Sequence, residues 1–216
     1  VASDGNSTNN ISNLTIIAWI KPNYTKGSSE FTIVGKEKTF ELTINNNVEP
    51  RQIAKFSIFD GIQWHTVETS TILGENWSHL AATFNGTVLS IYTNGTLSNE
   101  KFTSNTITLS TDGQFESKIP TIPVSSSDIV VGASLDNSRS VDDVSRNFSG
   151  EINDIHIYND CLTAAQISQL YNNSFPFVYE KTNSTDTIPI IENTLIEDLE
   201  TLDQLKKISL TELNHT

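Results

Sequence analysis

Residues 77–97 read WSHLAATFNGTVLSIYTNGTL, and this stretch decides the fold. Trp77, His79, Ala81 and Thr83 alternate with Ser78, Leu80, Ala82 and Phe84, which is the two-residue period of a β-strand. Asn85-Gly86 follows, then a run from Val88 to Thr93 rich in β-branched and aromatic residues, then Asn94-Gly95. Asn-Gly pairs satisfy the positive φ angles of a type I′ turn, whose twist suits a tight antiparallel hairpin. Two such turns in close succession predict an antiparallel meander.

Working outward, the chain continues to read as strands. Residues 13–22 (NLTIIAWIKP) are apolar on both faces, as in a strand buried between layers. Strands are expected over 31–36, 39–45, 54–60 and 62–68, the last two joined at Asp60-Gly61. Residues 98–127, rich in Ser, Thr, Asn and Pro, read as a long excursion with one short hairpin. Segments 128–134 and 148–158 close the set. Short strands with turn signals at this spacing give an all-β fold, a two-sheet antiparallel sandwich of jelly-roll type.

Two helices break the pattern. Thr163 followed by Gln166 is a capping box, with Leu162 and Ile167 placed as its hydrophobic staple. Ile167, Leu170 and Tyr171 then share a face, and Asn172-Asn173 ends the short helix, which is expected to plug the rim of the sandwich. Beyond Pro176, Leu195, Leu199, Leu202, Leu205 and Ile208 recur at helical spacing, so an amphipathic helix is expected in an acidic tail. The implied organisation is a polar N-terminal arm over 1–12, a sandwich over 13–175 and the tail over 176–216.

Charge narrows the partners. Lys+Arg is 13 against Asp+Glu 26, a formal net charge of −13. Such a field repels phosphate backbones, so nucleic acid is not expected as a partner. No apolar run is long enough for membrane insertion by a helix. The chain starts at Val1 without a signal-peptide pattern and holds no Met, as expected of a processed chain or a piece of a longer one. Its single cysteine, Cys161, reads as a small buried filler.

Asn-X-Ser/Thr occurs at Asn6, Asn10, Asn13, Asn23, Asn76, Asn85, Asn94, Asn147, Asn172, Asn183 and Asn214. That is about twice what random placement of these residues would give. The excess predicts an extracellular, N-glycosylated cell-surface protein.

These residues carry a resemblance. LTIIAWIKP (14–22), NWSHLAATFNG with LSIYTNGTL (76–97), and FSGEINDIHIYNDCLTAAQISQLY (148–171) resemble the laminin-G-like jelly-roll module of the concanavalin A-like superfamily. The likeness extends over roughly residues 10–173. It implies two stacked antiparallel sheets with a concave face and loop rims used for binding, without fixing a ligand.

Catalysis is not expected. Retaining glucanases on this scaffold carry a Glu-X-Asp-X-X-Glu strand, with two carboxyls about 5 Å apart, and no such triplet occurs here. Glu37 and Glu41 read as separated by a strand junction, and Glu151 and Asp154, three apart, as pointing to opposite faces. The four histidines lack metal spacing, and His79 and His156 read as satisfied strand residues.

For calcium, Asp136, Asn137, Asp142 and Asp143 cluster in one loop, and Asp154 stands where the resembling family's closing strand often carries acids. Two readings stay open there, a solvated acidic loop and a calcium site. For glycan, Trp64 beside His65 is the leading candidate, with Phe59 and Tyr92 behind it, whereas Trp19 and Trp77 read as core. The expected role is a non-catalytic adhesion module that binds glycan or a surface protein. The alternative is a structural subunit of a surface layer or filament that contacts copies of itself.

Overall fold

The computed structural model describes residues 10–25, 27–103, 106–109, 115–118, 120–135, 144–174 and 207–209. Five strands form one antiparallel sheet in the order β11-β2-β3-β4-β5: β2 (Glu30–Lys36), β3 (Phe40–Asn45), β4 (Ala54–Phe59), β5 (Trp64–Glu68) and β11 (Ile129–Val131). Six form the other, in the order β15-β14-β1-β6-β7-β8: β1 (Leu14–Pro22), β6 (Ser78–Phe84), β7 (Val88–Thr93), β8 (Thr96–Phe102), β14 (Gly150–Tyr158) and β15 (Lys207–Ser209). Two hairpins, β9 (Thr106–Leu109) with β10 (Phe115–Lys118) and β12 (Ser134–Leu135) with β13 (Val144–Ser145), lie outside them.

Alternation along the strands builds the core between the two sheets. Ile16, Ala18, Ile20, Leu80, Ala82 and Phe84 from the six-stranded sheet meet Phe31, Phe40, Leu42, Ile44, Phe56 and Ile58 from the five-stranded one. Each Leu, Ile or Phe among them stabilises the fold by about 1.5–3 kcal/mol on leaving water. The opposite face of β1 is buried for a different reason. Ile17, Ala81, Tyr92 and Tyr158 lie under Leu162 and Ile167, where the helix α1 (Ala164–Asn173) docks. The apolar-on-both-faces pattern of 13–22 therefore reports a strand between a sheet and a helix.

The helix starts as its sequence requires. Thr163 is the N-cap, its hydroxyl accepts from the Gln166 N–H, and the Gln166 side chain accepts from the Thr163 N–H at 2.8 Å. Buried Thr15 ties the helix's approach to β1: its hydroxyl donates to the Asp160 carbonyl at 2.7 Å and accepts from the Leu162 N–H at 2.9 Å.

Several expectations need correction. At Asn94-Gly95 both φ angles are positive, 49° and 74°, as a type I′ turn demands. At Asn85-Gly86 only Gly86 is positive. There the Asn85 side-chain oxygen accepts from the N–H groups of Thr87 and Val88, so an Asx turn closes a longer loop. β8 runs on into the supposed excursion as an exposed edge strand, and its polar sequence TLSNEKF hid it. In the tail, Lys207–Ser209 is a strand paired with His156–Tyr158 of β14, so the apolar stripe is not helical at Ile208. The rest of the expected tail helix, and the arm before Asn10, lie outside the described residues. Ile11 already belongs to the sandwich, exchanging two backbone hydrogen bonds with Ile122.

The alternation also resets within β14. Ile17 pairs with His156 and Trp19 with Asn153, leaving two residues of β14 opposite Ala18. Asp154 occupies this bulge at φ 50°, and its carboxylate reaches His156 Nε2 at 2.6 Å. Glu151, bonded to Lys21, shares that face of the sheet with His156. The three-residue spacing of Glu151 and Asp154 thus fails to place them on opposite faces, because the bulge adds a residue.

Candidate functional site

The outer face of the six-stranded sheet is partly roofed by α1, while the outer face of the five-stranded sheet holds a cleft of about 290 Å³. Its floor begins at a bulge in β2. Pairing there shifts between Thr32 and Val34, so Ile33 and Val34 both point into the core and Gly35 returns to the outer face beside Glu41. The nearest atoms to a Cβ built on Gly35 would lie 3.6 Å away, so the floor is shallow rather than filled.

One wall is aromatic. Along β5, His65 and Val67 are buried whereas Trp64, Thr66 and Glu68 face outward. Trp64 is 43% exposed and lines the cleft. Phe59 of β4 backs it, the ring centroids 5.4 Å apart at 47°. His65 points the other way. Its Nε2 lies 2.8 Å from Asp60 Oδ2, and Asp60 Oδ1 accepts from the N–H groups of Ile62 and Gln63. Burial works against the Asp60 carboxylate, but those hydrogen bonds and His65 outweigh it and hold its pKa below the ordinary value. His65 therefore supports the turn that presents Trp64.

The opposite wall is ionic. Arg146, in the left-handed region at φ 51°, gives its carbonyl to the Thr32 N–H and its guanidinium to the sheet face. Nη1 donates to Glu41 Oε2 at 2.9 Å and Glu30 Oε2 at 3.1 Å, and Nη2 to Glu41 Oε1 and Ser134 Oγ, both at 2.7 Å. Hydrogen bonding to Glu41 raises the Arg146 pKa further despite burial. Glu30 also pairs with Lys55. Burial would raise the Glu30 pKa, yet Lys55 and Arg146 together lower it. The β2–β3 turn adds Lys36, Glu37 and Lys38, and Asp128 faces them. Burial lowers the Lys36 pKa, partly countered by Asp128.

The remaining sequence candidates fall elsewhere. Tyr92 is 6% exposed and packs in the core beneath α1, on the other sheet and apart from Trp64. Trp19 is also buried there, stacked on Tyr171 at 5.6 Å. Cys161 is half-buried, and burial raises its thiol pKa, unlike a reactive thiolate. Asp136, Asn137, Asp142 and Asp143 lie outside the described residues. Asp154 lies in the β14 bulge, its carboxylate 2.6 Å from His156 Nε2. Among the described residues no group of three or more His, Cys, Asp or Glu is placed to hold a metal ion. Glu37 and Glu41, which the sequence separates, both line the cleft. Arg146 had no sequence signal, since its carboxylate partners lie more than a hundred residues away.

The sequence pattern of the concanavalin A-like lectin/glucanases superfamily matches residues 1–168. Among solved structures, the chain resembles a Bacteroides ovatus protein named for carbohydrate binding, with TM-score 0.54 and 20% identity over 74% of this chain and 41% of that one. It also resembles the botulinum neurotoxin serotype D ligand binding domain in complex with N-acetylneuraminic acid, with TM-score 0.50 and 18% identity over 79% and 38%. A third similar structure is the heptameric SAP-like pentraxin of Limulus polyphemus, with TM-score 0.50 and 17% identity over 74% and 70%. The chain spans less than half the length of the first two, and at these identities the likeness is one of fold. No curated protein matches it.

Proposed function

Since this chain belongs to the concanavalin A-like lectin/glucanases superfamily, we propose that it is a non-catalytic glycan-binding module reading sugar in the cleft beside Trp64. The single observation behind this reading is the partly exposed Trp64, backed by Phe59 and set in a polar cleft on the outer face of the five-stranded sheet. An indole offers a flat apolar surface for a sugar ring, and surrounding carboxylates and hydroxyls accept and donate to its hydroxyls. The similar structures whose names mention carbohydrate or N-acetylneuraminic acid support it. General-acid work by Glu41, one of the carboxylates lining the cleft, is disfavoured because Arg146 holds it.

Trp64→Ala is the test. It should abolish binding on a glycan array while leaving the thermal midpoint within a few degrees, since partly exposed side chains contribute little to the fold. Unchanged array binding by this variant would refute the assignment.

The extracellular, glycosylated setting belongs to the same proposal. Asn10, Asn23, Asn76, Asn85, Asn94, Asn147 and Asn172 are exposed and Asn13 half-exposed, so these sequons are open to modification. Glycopeptide mass spectrometry of native material showing bare asparagines would refute it. Calcium at Asp136, Asn137, Asp142, Asp143 and Asp154 is the accompanying proposal, refuted by titration calorimetry without heat. The second reading, a subunit contacting its own copies, draws on β8, an edge strand with Leu97 and Phe102 44% and 68% exposed. A protein that stays monomeric at high concentration in light scattering would dispose of it.

A further inference from the structure

We infer that the cleft selects uncharged sugars over acidic ones, and that the Glu41–Arg146 pair sets this preference; the inference rests on the glycan-binding reading above. A guanidinium with two parallel N–H groups to offer is the side chain best shaped to recognise a carboxylate or sulfate. Among the described residues Arg146 is the only arginine lining the cleft, and both its terminal nitrogens are occupied. Each of Nη1 and Nη2 carries two protons, and the four go to Glu41 twice, Glu30 and Ser134. Only the Nε proton is outside these bonds.

The charges around it cancel. Lys55, Glu30, Arg146 and Glu41 form a chain of alternating sign with no net charge. Along the cleft, Lys36 and Lys38 are matched by Glu37 and Asp128. Lys36 is partly buried, which lowers its pKa, with Asp128 opposing the shift. The whole chain carries −13, so an acidic sugar approaches against the general field and meets, among the described residues, cations already matched by carboxylates. A neutral pyranose meets an aromatic face and a ring of acceptors and donors that needs no counter-charge.

The experiment is an array presenting matched neutral, sialylated, uronate and sulfated forms of the same glycans, read with the native protein, Glu41→Gln and Arg146→Met. The native protein should bind neutral forms and prefer them. Glu41→Gln leaves the quartet at plus one with guanidinium protons released, so signals on acidic forms should rise about tenfold. That gain should fade at high salt, as expected of an exposed charge. Arg146→Met should show no such gain. Glu30→Gln, which frees an Nη1 proton and Lys55, is expected to act in the same direction and serves if Glu41→Gln fails to fold.

Equal or stronger native binding to acidic forms overturns the selectivity while leaving glycan binding intact. A folded Glu41→Gln or Glu30→Gln without the gain overturns the role of the ion pairs. No binding to any form removes the glycan reading and this inference with it.

Discussion

His79 gives the most quantitative prediction. It lies on β6 at 0% exposure, edge-on to Trp19 at 5.2 Å and tilted against Tyr171 of α1 at 5.6 Å. Neither ring nitrogen has a hydrogen-bond partner among the described residues. Burial lowers its pKa from 6.5 to about 4, with Asp154 opposing and His156 adding to the shift. The unfolded chain therefore binds a proton in the window from 6.5 down to about 4 that the folded chain refuses. Stability contributed by neutral His79 is fully present above 6.5, declines as pH falls through the window, and is lost below about 4. At about 1.4 kcal/mol per pH unit the window amounts to roughly 3 kcal/mol.

The assay is urea unfolding of the native protein and His79→Leu at roughly pH 7.5 and roughly pH 4.5. Other groups, including Glu30 and Asp60 with their lowered pKa values, make both proteins less stable in acid. The comparison cancels them. The native protein should lose about 2–3 kcal/mol more than His79→Leu over that interval. Parallel losses would refute the argument, as would an NMR titration in which the His79 ring protonates near 6.5.

Two further changes test the framework. Gly150 opens β14 at φ 131°, and a Cβ there would stand 2.2 Å from the Lys21 carbonyl oxygen and 3.0 Å from Pro22 Cα. Gly150→Ala should destabilise by about 3 kcal/mol or more, seen as a thermal midpoint lower by many degrees; a midpoint within two or so degrees would show that the β1–β14 register yields. Thr15→Val removes one hydroxyl that serves both the Asp160 carbonyl and the Leu162 N–H, and should cost about 1–3 kcal/mol in urea unfolding. No change in stability would mean that the connection into α1 is not fastened there.

The sequence alone carried much of the fold because the signals are local. The alternation in 77–84 is a property of the pleat, and the Thr163–Gln166 capping box closes within one helical turn. The double-sided apolar run of β1 announced two covering layers before either was known. Where local chemistry offered two solutions the sequence was ambiguous. Asn85-Gly86 and Asn94-Gly95 look alike, yet only the second adopts the two-residue turn, since the Asn85 side chain closes its own loop instead. The polar edge strand β8 faces water and so shows no apolar period.

The site is another matter. Trp64 and His65 are neighbours in sequence, but adjacent strand residues point to opposite faces, and only one could face the cleft. Tyr92 stands on an outer face as Trp64 does, and the docking of α1 over one sheet and not the other separates a core residue from an exposed one. Arg146 reaches Glu41 and Glu30 only because the returning chain crosses the β2 bulge, where the freed Thr32 N–H takes its carbonyl. Periodicity and capping act over a few residues and are written in the chain. Which face is roofed, which is open and which charges meet there depend on contacts between segments far apart in sequence, and tertiary packing alone decided them.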